Sequence, residues 1–328
     1  MNDYLQALQD EHRILESVLD DLCSQARMAA ELIGKLLREK KADRIVFAAM
    51  GSSLYAARGI VSRLCTSGIP ADVYNGYELL HYNTGVIDEK TILFLVSQSG
   101  STPEICELNR ICRDRAAHTI SFINDEDCAL RGQTETELFL RMGKETPISN
   151  KTYYAQVAFF NLLAQSLEEK EMDPMCAAIR HAIAFHQDYV EHQEEYTGPL
   201  MEFLKDCRMI DILGDDAQGG AAFQAGLVLR EMVRLPIAPM SLSDYSHGWF
   251  DIAGEGYAMI LFTDEVRAFD ERMIRHCLDK GGKVLLISPV CQLPDHKNLL
   301  TYRIPGADNS LLPLYSVVPA YFMAGMMA

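Results

Sequence analysis

The chain begins with a helical pattern of apolar residues and then changes to short apolar runs. Over residues 1–42, apolar positions recur three and four apart among charged ones, which predicts an amphipathic N-terminal helix. Each later run ends in turn residues and precedes another helical pattern. The first set of runs is Arg44–Met50, Ala71–Tyr74, Thr91–Val96, His118–Ile123 and Leu138–Met142. Runs of this length between helices predict parallel strands buried on both faces.

A second set of runs follows a long helical stretch that covers about residues 152–196. Its members are Met209–Leu213, Ile237–Met240, Tyr257–Phe262, Lys283–Ile287 and Tyr302–Ile304. Two sets separated by helices predict an α/β protein with two doubly wound domains in tandem, each an αβα sandwich around a parallel sheet. The turn residues Thr197–Pro199 indicate the boundary. The predicted bounds are therefore 1–42 for the helix, 43–196 for the first domain and 197–328 for the second.

The composition limits the partners and the location of the protein. With 30 Lys and Arg against 46 Asp and Glu, the formal net charge is -16, which disfavours nucleic acid and anionic lipid as partners. An anionic ligand must then be held by local dipoles, such as backbone amides and hydroxyls. No signal peptide and no apolar run of about 20 residues occurs, so a cytoplasmic protein without a membrane partner is expected. The nine cysteines form no CxxC pair, and we expect neither a metal nor a cofactor.

The most informative segment is Ser97–Glu104, which reads Ser-Gln-Ser-Gly-Ser-Thr-Pro-Glu after a buried run. It predicts a hydroxyl-rich turn into a helix that has Pro103 in its first turn and a capping box between Ser101 and Glu104. A helix N-terminus at the carboxyl end of a parallel strand attracts phosphate. The hydroxyls of Ser97, Ser99 and Thr102 can bind phosphate oxygens, and Gln98 can reach a sugar hydroxyl. The alternative is a serine-rich turn without a ligand.

A second turn, Gly51-Ser52-Ser53, follows the run Arg44–Met50 and opens a helix, which places it at the same predicted sheet edge. Together the two turns resemble the sugar isomerase (SIS) family, which includes the isomerase half of glucosamine-6-phosphate synthase and deglycases and deaminases of amino-sugar phosphates. The resemblance runs from about residue 44 to 319. It implies that Ser53, Ser97, Ser99 and Thr102 hold a phosphate, while Ser52 and Gln98 contact the sugar and Gly51 lies in the substrate site. With a one-residue gap, it also assigns Ser149 and Lys151 to substrate binding.

Two residues of the second half are candidates for chemistry. Glu231 falls in the last turn of a predicted helix, where the helix dipole disfavours a carboxylate and raises its pKa toward that of a general base. His247 lies in a loop before Gly248, and histidine exchanges protons near neutral pH. The alternatives are an ion pair between Glu231 and a neighbouring arginine and a loop histidine without a role. The resemblance assigns Glu231 as the base between C1 and C2 and His247 as an aid to ring opening, because the pair keeps the family's separation.

The resemblance also implies a homodimer or a higher homo-oligomer that binds a small phosphorylated sugar or sugar-amine. The sequence departs from the family at Ser246 and Trp249. Because it reads to Ala328 without the lysine-bearing tail of the synthase, we expect a reaction that does not use that lysine. Without a glutaminase domain in this sequence, we do not expect glutamine-driven amination. We therefore expect a deglycase that releases glucose 6-phosphate and a free amine. A glucosamine-6-phosphate deaminase or aldose–ketose isomerase is the first alternative, and a non-catalytic sugar-phosphate sensor is the second. The amine itself is not encoded in any motif.

Overall fold

A computed structural model describes residues 3–290 and 292–328 of the chain. The residues form two compact units. One unit is Arg13–His181, and the other is Ala182–Ala328 together with the residues up to His12. The units therefore divide the chain differently from the predicted bounds at 42 and 196, and the division falls within helices.

The unit Arg13–His181 contains the first parallel sheet. Its elements are α1 (Asp3–Arg38, from Arg13 onward), β1 (Arg44–Ala49), α2 (Ser52–Thr66), β2 (Ala71–Asn75), α3 (Gly76–Tyr82), β3 (Thr91–Ser97), α4 (Pro103–Cys112), β4 (His118–Ile123), β5 (Thr136–Phe139), α5 (Lys151–Leu167) and α6 (Met172–Glu191, up to His181). All strand pairs are parallel, in the order β2-β1-β3-β4-β5. Every residue of β3 is buried, as expected for a central strand covered on both faces.

The other unit repeats this architecture. Its further elements are α7 (Gln193–Leu204), β6 (Met209–Leu213), α8 (Asp216–Val233), β7 (Ile237–Met240), α9 (Leu242–Tyr245), β8 (Tyr257–Phe262), α10 (Ala268–Asp279), β9 (Lys283–Ser288), β10 (Leu299–Arg303) and α11 (Pro313–Met327). Its strands are parallel in the order β7-β6-β8-β9-β10. The prediction of two doubly wound α/β domains is thus confirmed.

The strand order fixes where each sheet can bind a ligand. In both sheets the chain first moves to one side of its first strand and then crosses to the other side. The order therefore reverses between β1 and β3 in one sheet and between β6 and β8 in the other. At such a switch point the loops that follow the two strands diverge and leave a crevice at their carboxyl ends. Each unit has one crevice of this kind.

One helical segment differs from the sequence-based interpretation, and another is buried almost throughout. The predicted break at Thr197–Pro199 is helical and lies within α7, because Thr197 and Leu200 are buried there and their packing offsets the backbone donor that Pro199 lacks. Helix α11 is buried core rather than an open surface: Gly325 packs so closely on Leu5 that an added Cβ would lie 2.4 Å from the Leu5 Cδ2. Among the described residues, no helix is both long and apolar enough to cross a bilayer.

Candidate functional site

The two hydroxyl-bearing turns lie side by side at the β1/β3 switch point. Strands β1 and β3 are direct neighbours, with Ala49 paired to Val96 at their carboxyl ends. The turn Gly51–Ser53 follows β1, and the turn Ser97–Thr102 ends β3 and leads into α4. The structure therefore brings both predicted turns to one crevice.

The turn after β3 is fixed by its backbone. Gly100 has φ +58°, and an added Cβ would lie 2.3 Å from the Sγ of Cys128, so only glycine fits there. Its carbonyl accepts a hydrogen bond from the amide of Leu130 at 3.0 Å. The carbonyl of Gln98 accepts two more, from the amides of Asn124 and Asp125 at 3.0 and 3.2 Å. This turn is held in one conformation by bonds to the segment that follows β4.

The hydroxyls of this turn pair with one another. The Oγ of Ser97 lies 3.0 Å from the Oγ1 of Thr102, and the Oγ of Ser99 accepts the amide of Ser101 at 3.2 Å. The predicted capping box is wrong, because Pro103 occupies the first helical position and makes Thr102 the N-cap in extended conformation. The Oγ of Ser101 instead accepts the amide of Ala129 at 3.2 Å.

The turn after β1 is anchored from α5. Gly51 precedes α2 as its N-cap with φ +54°, a left-handed conformation that favours glycine. Ser52 is half-buried. Ser53 is buried, and its Oγ accepts a hydrogen bond from the Nε2 of Gln156 at 3.0 Å. Nothing in the sequence pattern marks Gln156, which lies in a uniformly buried stretch of α5.

The start of α5 carries the remaining predicted binding residues. Lys151 is its first residue, is 7% exposed, and makes no ion pair within the described part of the chain. The Oγ of Ser149 lies 3.0 Å from the Oγ1 of Thr152. Glu145 accepts from the amide and the Oγ1 of Thr152 at 2.9 and 2.6 Å.

Burial raises the pKa of the Glu145 carboxyl, while the bonds from Thr152 and the Lys151 ammonium lower it in part. Glu145 is a residue that sequence reasoning did not assign, although it opens the segment that carries Ser149 and Lys151. Its contacts fix the start of α5, and through it the position of Lys151. Lys151 interacts with the Glu145 carboxylate only electrostatically and makes no direct ion pair among the described residues, so its ammonium can still pair with an anionic ligand.

Glu231 lies in the other unit, in the last turn of α8. Partial burial raises the pKa of its carboxyl, the direction that a general base near neutrality needs. Among the residues that the structure describes, Glu231 makes no ion pair, so the alternative of a simple pair with an arginine does not hold. The Nη1 of Arg230 instead donates a long hydrogen bond, of 3.4 Å, to the carbonyl oxygen of Ile237.

His247 follows α9 in the same unit. Its amide donates to the carbonyl of Asp244 at 2.9 Å, and Gly248 then turns the chain with φ +114°. The imidazole is exposed, and so is Trp249 beside it, at 59%. The roles of Glu231 and His247 stay predictions.

Comparison with known proteins finds a family match for the region of the first sheet and structural matches for the whole chain. A family model described as the SIS domain matches residues 37–166. A glutamine–fructose-6-phosphate aminotransferase (isomerizing) from Corynebacterium glutamicum is 24% identical over 304 residues, which cover 87% of this chain and 48% of that protein. The chain thus spans about half the length of the curated relatives it matches.

Two solved structures share the fold over the whole chain. The C-terminal domain of glucosamine-fructose-6-phosphate aminotransferase from Francisella tularensis aligns with a TM-score of 0.81 at 15% identity, covering 100% of this chain and 96% of that one. A glucosamine-6-phosphate deaminase from Thermotoga maritima aligns with a TM-score of 0.75 at 18% identity, covering 100% and 94%. The family match over residues 37–166 includes both hydroxyl-bearing turns, so this part of the chain is similar to an SIS domain.

Proposed function

We propose that this chain is a phosphosugar enzyme that transfers a proton between C1 and C2 of a 6-phosphorylated sugar-amine and releases the amine. The observation that carries the proposal is the pair of hydroxyl-bearing turns at one switch point. There the phosphate is bound by Ser53, Ser97, Ser99 and Thr102, while Ser52 and Gln98 contact the sugar.

These two turns can bind a phosphate through backbone amides and hydroxyls, without a charged side chain of their own. The free amides at the start of α2 and α4 attract an anion, and the hydroxyls supply further donors. Lys151 adds a nearly buried cation on a third segment. With a net charge of -16, the protein as a whole repels a phosphate, so these local donors must provide the attraction.

The proton transfer is assigned to Glu231. In the open-chain form of a 6-phosphofructosyl-amine, Glu231 takes a proton from C1 and the electron pair forms a C1–C2 double bond. The π bond of the C2 carbonyl breaks, and its oxygen takes a proton from solvent, which gives an enaminol. Glu231 returns the proton to C2 while the nitrogen loses a proton to solvent, which leaves the C1–N double bond of an aldimine. Water then adds to C1 and the C–N bond breaks, giving glucose 6-phosphate and the free amine. His247 serves ring opening, in which a proton moves from the C2 hydroxyl to the ring oxygen.

The amine on the substrate is supported by the names of the similar proteins. The aminotransferases and the deaminase are all named for hexose 6-phosphates that gain or lose nitrogen. The deaminase likeness also favours a second candidate function, in which glucosamine 6-phosphate loses ammonia. An aldose–ketose isomerase uses the same proton transfer without an amine, and a non-catalytic sensor uses only the phosphate-binding turns.

The test is an end-point assay on the purified full chain. A panel of 6-phosphorylated fructosyl-amino acids and glucosamine 6-phosphate is offered, with glucose 6-phosphate and ammonia measured separately. The proposal expects glucose 6-phosphate without ammonia, and a loss of about a hundred- to ten-thousandfold in kcat for Glu231→Gln. Glu255→Gln, an exposed glutamate of the same unit, is the matched control and should keep full activity.

The other outcomes assign the chain elsewhere. Ammonia from glucosamine 6-phosphate indicates a deaminase. Interconversion of aldose and ketose phosphates without nitrogen release indicates an isomerase. Binding of these compounds without any turnover, unchanged in Glu231→Gln, indicates a sensor.

A further inference from the structure

The crevice at the β6/β8 switch point is acidic, whereas the crevice of the first sheet is lined by hydroxyls. A cavity of about 370 Å³ opens there, between the turns that follow β6 and β8. Where the first sheet carries hydroxyls after its corresponding strands, this cavity carries carboxylates. Its polar lining includes Asp215, Asp216, Gln218, Asp264, Arg267 and Asp270.

The carboxylates of this lining differ in their partners. Asp270 accepts a hydrogen bond from the backbone amide of Arg267 at 3.0 Å. Arg267 donates from Nη1 and Nη2 to the two oxygens of Asp264 at 2.8 and 3.0 Å, so this pair satisfies itself. Asp216 accepts only from the neutral Nδ2 of Asn309, at 2.6 Å, and Asp215 lies 3.4 Å from the hydroxyl of Ser243. No ion pair reaches Asp215 or Asp216 within residues 3–290 and 292–328. The cavity therefore keeps a negative charge that its own residues do not neutralise.

Gln218 is a second, independent feature of this cavity. It lies in the first turn of α8 and lines the cavity, yet it is 2% exposed. Neither its Oε1 nor its Nε2 has a hydrogen-bond partner among the described residues. A buried amide with both ends unpaired costs stability and is rare in folded proteins. A ligand with hydroxyl groups in this cavity would satisfy both ends.

We propose that this cavity binds a small organic cation that carries a primary ammonium beside hydroxyl groups, the chemistry of an unphosphorylated amino sugar. The ammonium pairs with Asp215 and Asp216, and the hydroxyls meet the amide of Gln218. The two aspartates also oppose the positive end of α8, so a phosphate is repelled where the first sheet attracts one. In the described part of the chain no three His, Cys, Asp or Glu side chains are arranged to hold a metal ion. The volume suits a molecule of this size.

The probe is D-glucosamine, which is titrated into the full chain at slightly acidic pH and followed by calorimetry. D-glucose is the uncharged control. The two sugars differ only in the ammonium or hydroxyl at C2. We expect saturable glucosamine binding with a Kd of about 1 mM or tighter, and glucose at least about tenfold weaker. Added salt should weaken glucosamine binding, because it screens the two carboxylates.

Variants locate the binding. Asp215→Asn and Asp216→Asn should each weaken glucosamine binding about tenfold, since a charge-assisted bond is lost. Asparagine also accepts the left-handed backbone of Asp216, whose φ is +54°. Glu255→Gln removes an equal charge from an exposed position of the same unit that does not line the cavity, and should leave binding unchanged. Ser97→Ala, in the hydroxyl-bearing turn of the other unit, should leave it unchanged as well.

Gln218→Met provides a signature that a structural role would not give. Removing an unpaired buried amide should raise the Tm of the ligand-free protein by about 2 °C, while glucosamine binding weakens. The proposal is overturned if glucosamine shows no saturable binding, if glucose binds equally well, or if the two aspartate variants bind as the parent does. None of these readouts depends on turnover, so the proposal stands or falls separately from the proposed function.

Discussion

The Nε2 of Gln156 donates a hydrogen bond to the Oγ of Ser53 across 3.0 Å, in a pair that is almost fully buried. This bond ties α5 to the turn after β1. The helix whose first residue is Lys151 and the turn that carries the candidate ligands Ser52 and Ser53 are therefore positioned together.

Replacing Ser53 with alanine should both destabilise the fold and weaken the binding of a sugar phosphate. The variant leaves the Nε2 of Gln156 buried without an acceptor, which costs about 1–3 kcal/mol of unfolding free energy. Ser52→Ala is the matched control, because its half-buried hydroxyl makes no such bond to α5. Urea unfolding and glucose 6-phosphate titration measure the two effects. Equal stability of the two variants would contradict the anchoring role of Ser53.

Gly100→Ala should cost more than an ordinary substitution in the left-handed region. The Cβ would meet the Sγ of Cys128 at 2.3 Å and displace the turn that carries the hydroxyls. Gly132 has a similar φ, +70°, but open space around it, so Gly132→Ala isolates the backbone strain of about 1 kcal/mol. We expect Gly100→Ala to lose about 1–3 kcal/mol beyond that, as overpacking does, and to lose phosphate binding. Matching losses in the two variants would show that the contact with Cys128 is unimportant.

The activity should have an acidic limb at a higher pH than an ordinary glutamate gives. A general base works only when deprotonated, and burial raises the pKa of Glu231. The rate should therefore fall as pH decreases through that raised pKa, and stay constant above it until a second group titrates. A profile of kcat/KM against pH measures it. A limb at or below the usual glutamate pKa would exclude Glu231 as the base.

Glu168 should make the stability of the unit Arg13–His181 pH-dependent. Its carboxylate, whose side chain is 5% exposed, receives bonds from the Nε and Nη2 of Arg63 at 2.8 and 2.7 Å. Burial alone would raise the pKa of Glu168, but the bonds from Arg63, Lys170 and Ser67 outweigh it and lower the pKa to about 2. A depressed pKa means that the stabilisation is complete above the unfolded-state value and is lost as pH falls from about 5 toward 2.

We therefore expect Glu168→Gln to lose about 2–3 kcal/mol of unfolding free energy at neutral pH, and the difference from the parent to shrink in acid. Glu169→Gln is the control, because its pair with Arg38 is exposed and 3.5 Å long and should contribute little. Denaturant unfolding at several pH values measures both. A loss that stays constant with pH would mean that packing, rather than charge, accounts for the effect of Glu168.

Much of the fold could be predicted because buried parallel strands produce apolar runs. The runs from Arg44 and from Met209 onward correspond to the strands of the two sheets, and the Ser97–Glu104 segment reveals its turn through residue types that few other structures need. The helical region around Thr197 could not be read in this way. There, tertiary burial outweighs the local preference of glycine and proline for a turn.

The parts of the site that the sequence does not reveal depend on contacts distant along the chain. Gln156 is 103 positions from Ser53, and no local pattern records their hydrogen bond. The acidic cavity is similar, because Asp215 and Asp264 meet only through the strand order of the second sheet. The predicted capping box of α4 is wrong for the same reason. The hydroxyl of Ser101 accepts a hydrogen bond from the amide of Ala129, which lies in a later loop.

The packing of Gly325 against Leu5 has a consequence for synthesis on the ribosome. The residues Arg13–His181 form one continuous stretch, so that unit can fold as soon as it has emerged. The other unit combines the first residues of the chain with its last helix. Leu5 leaves the ribosome before the unit Arg13–His181 is made, yet its partner Gly325 in α11 is made only after that unit. Until then its apolar surface has to be shielded by other contacts or by a chaperone.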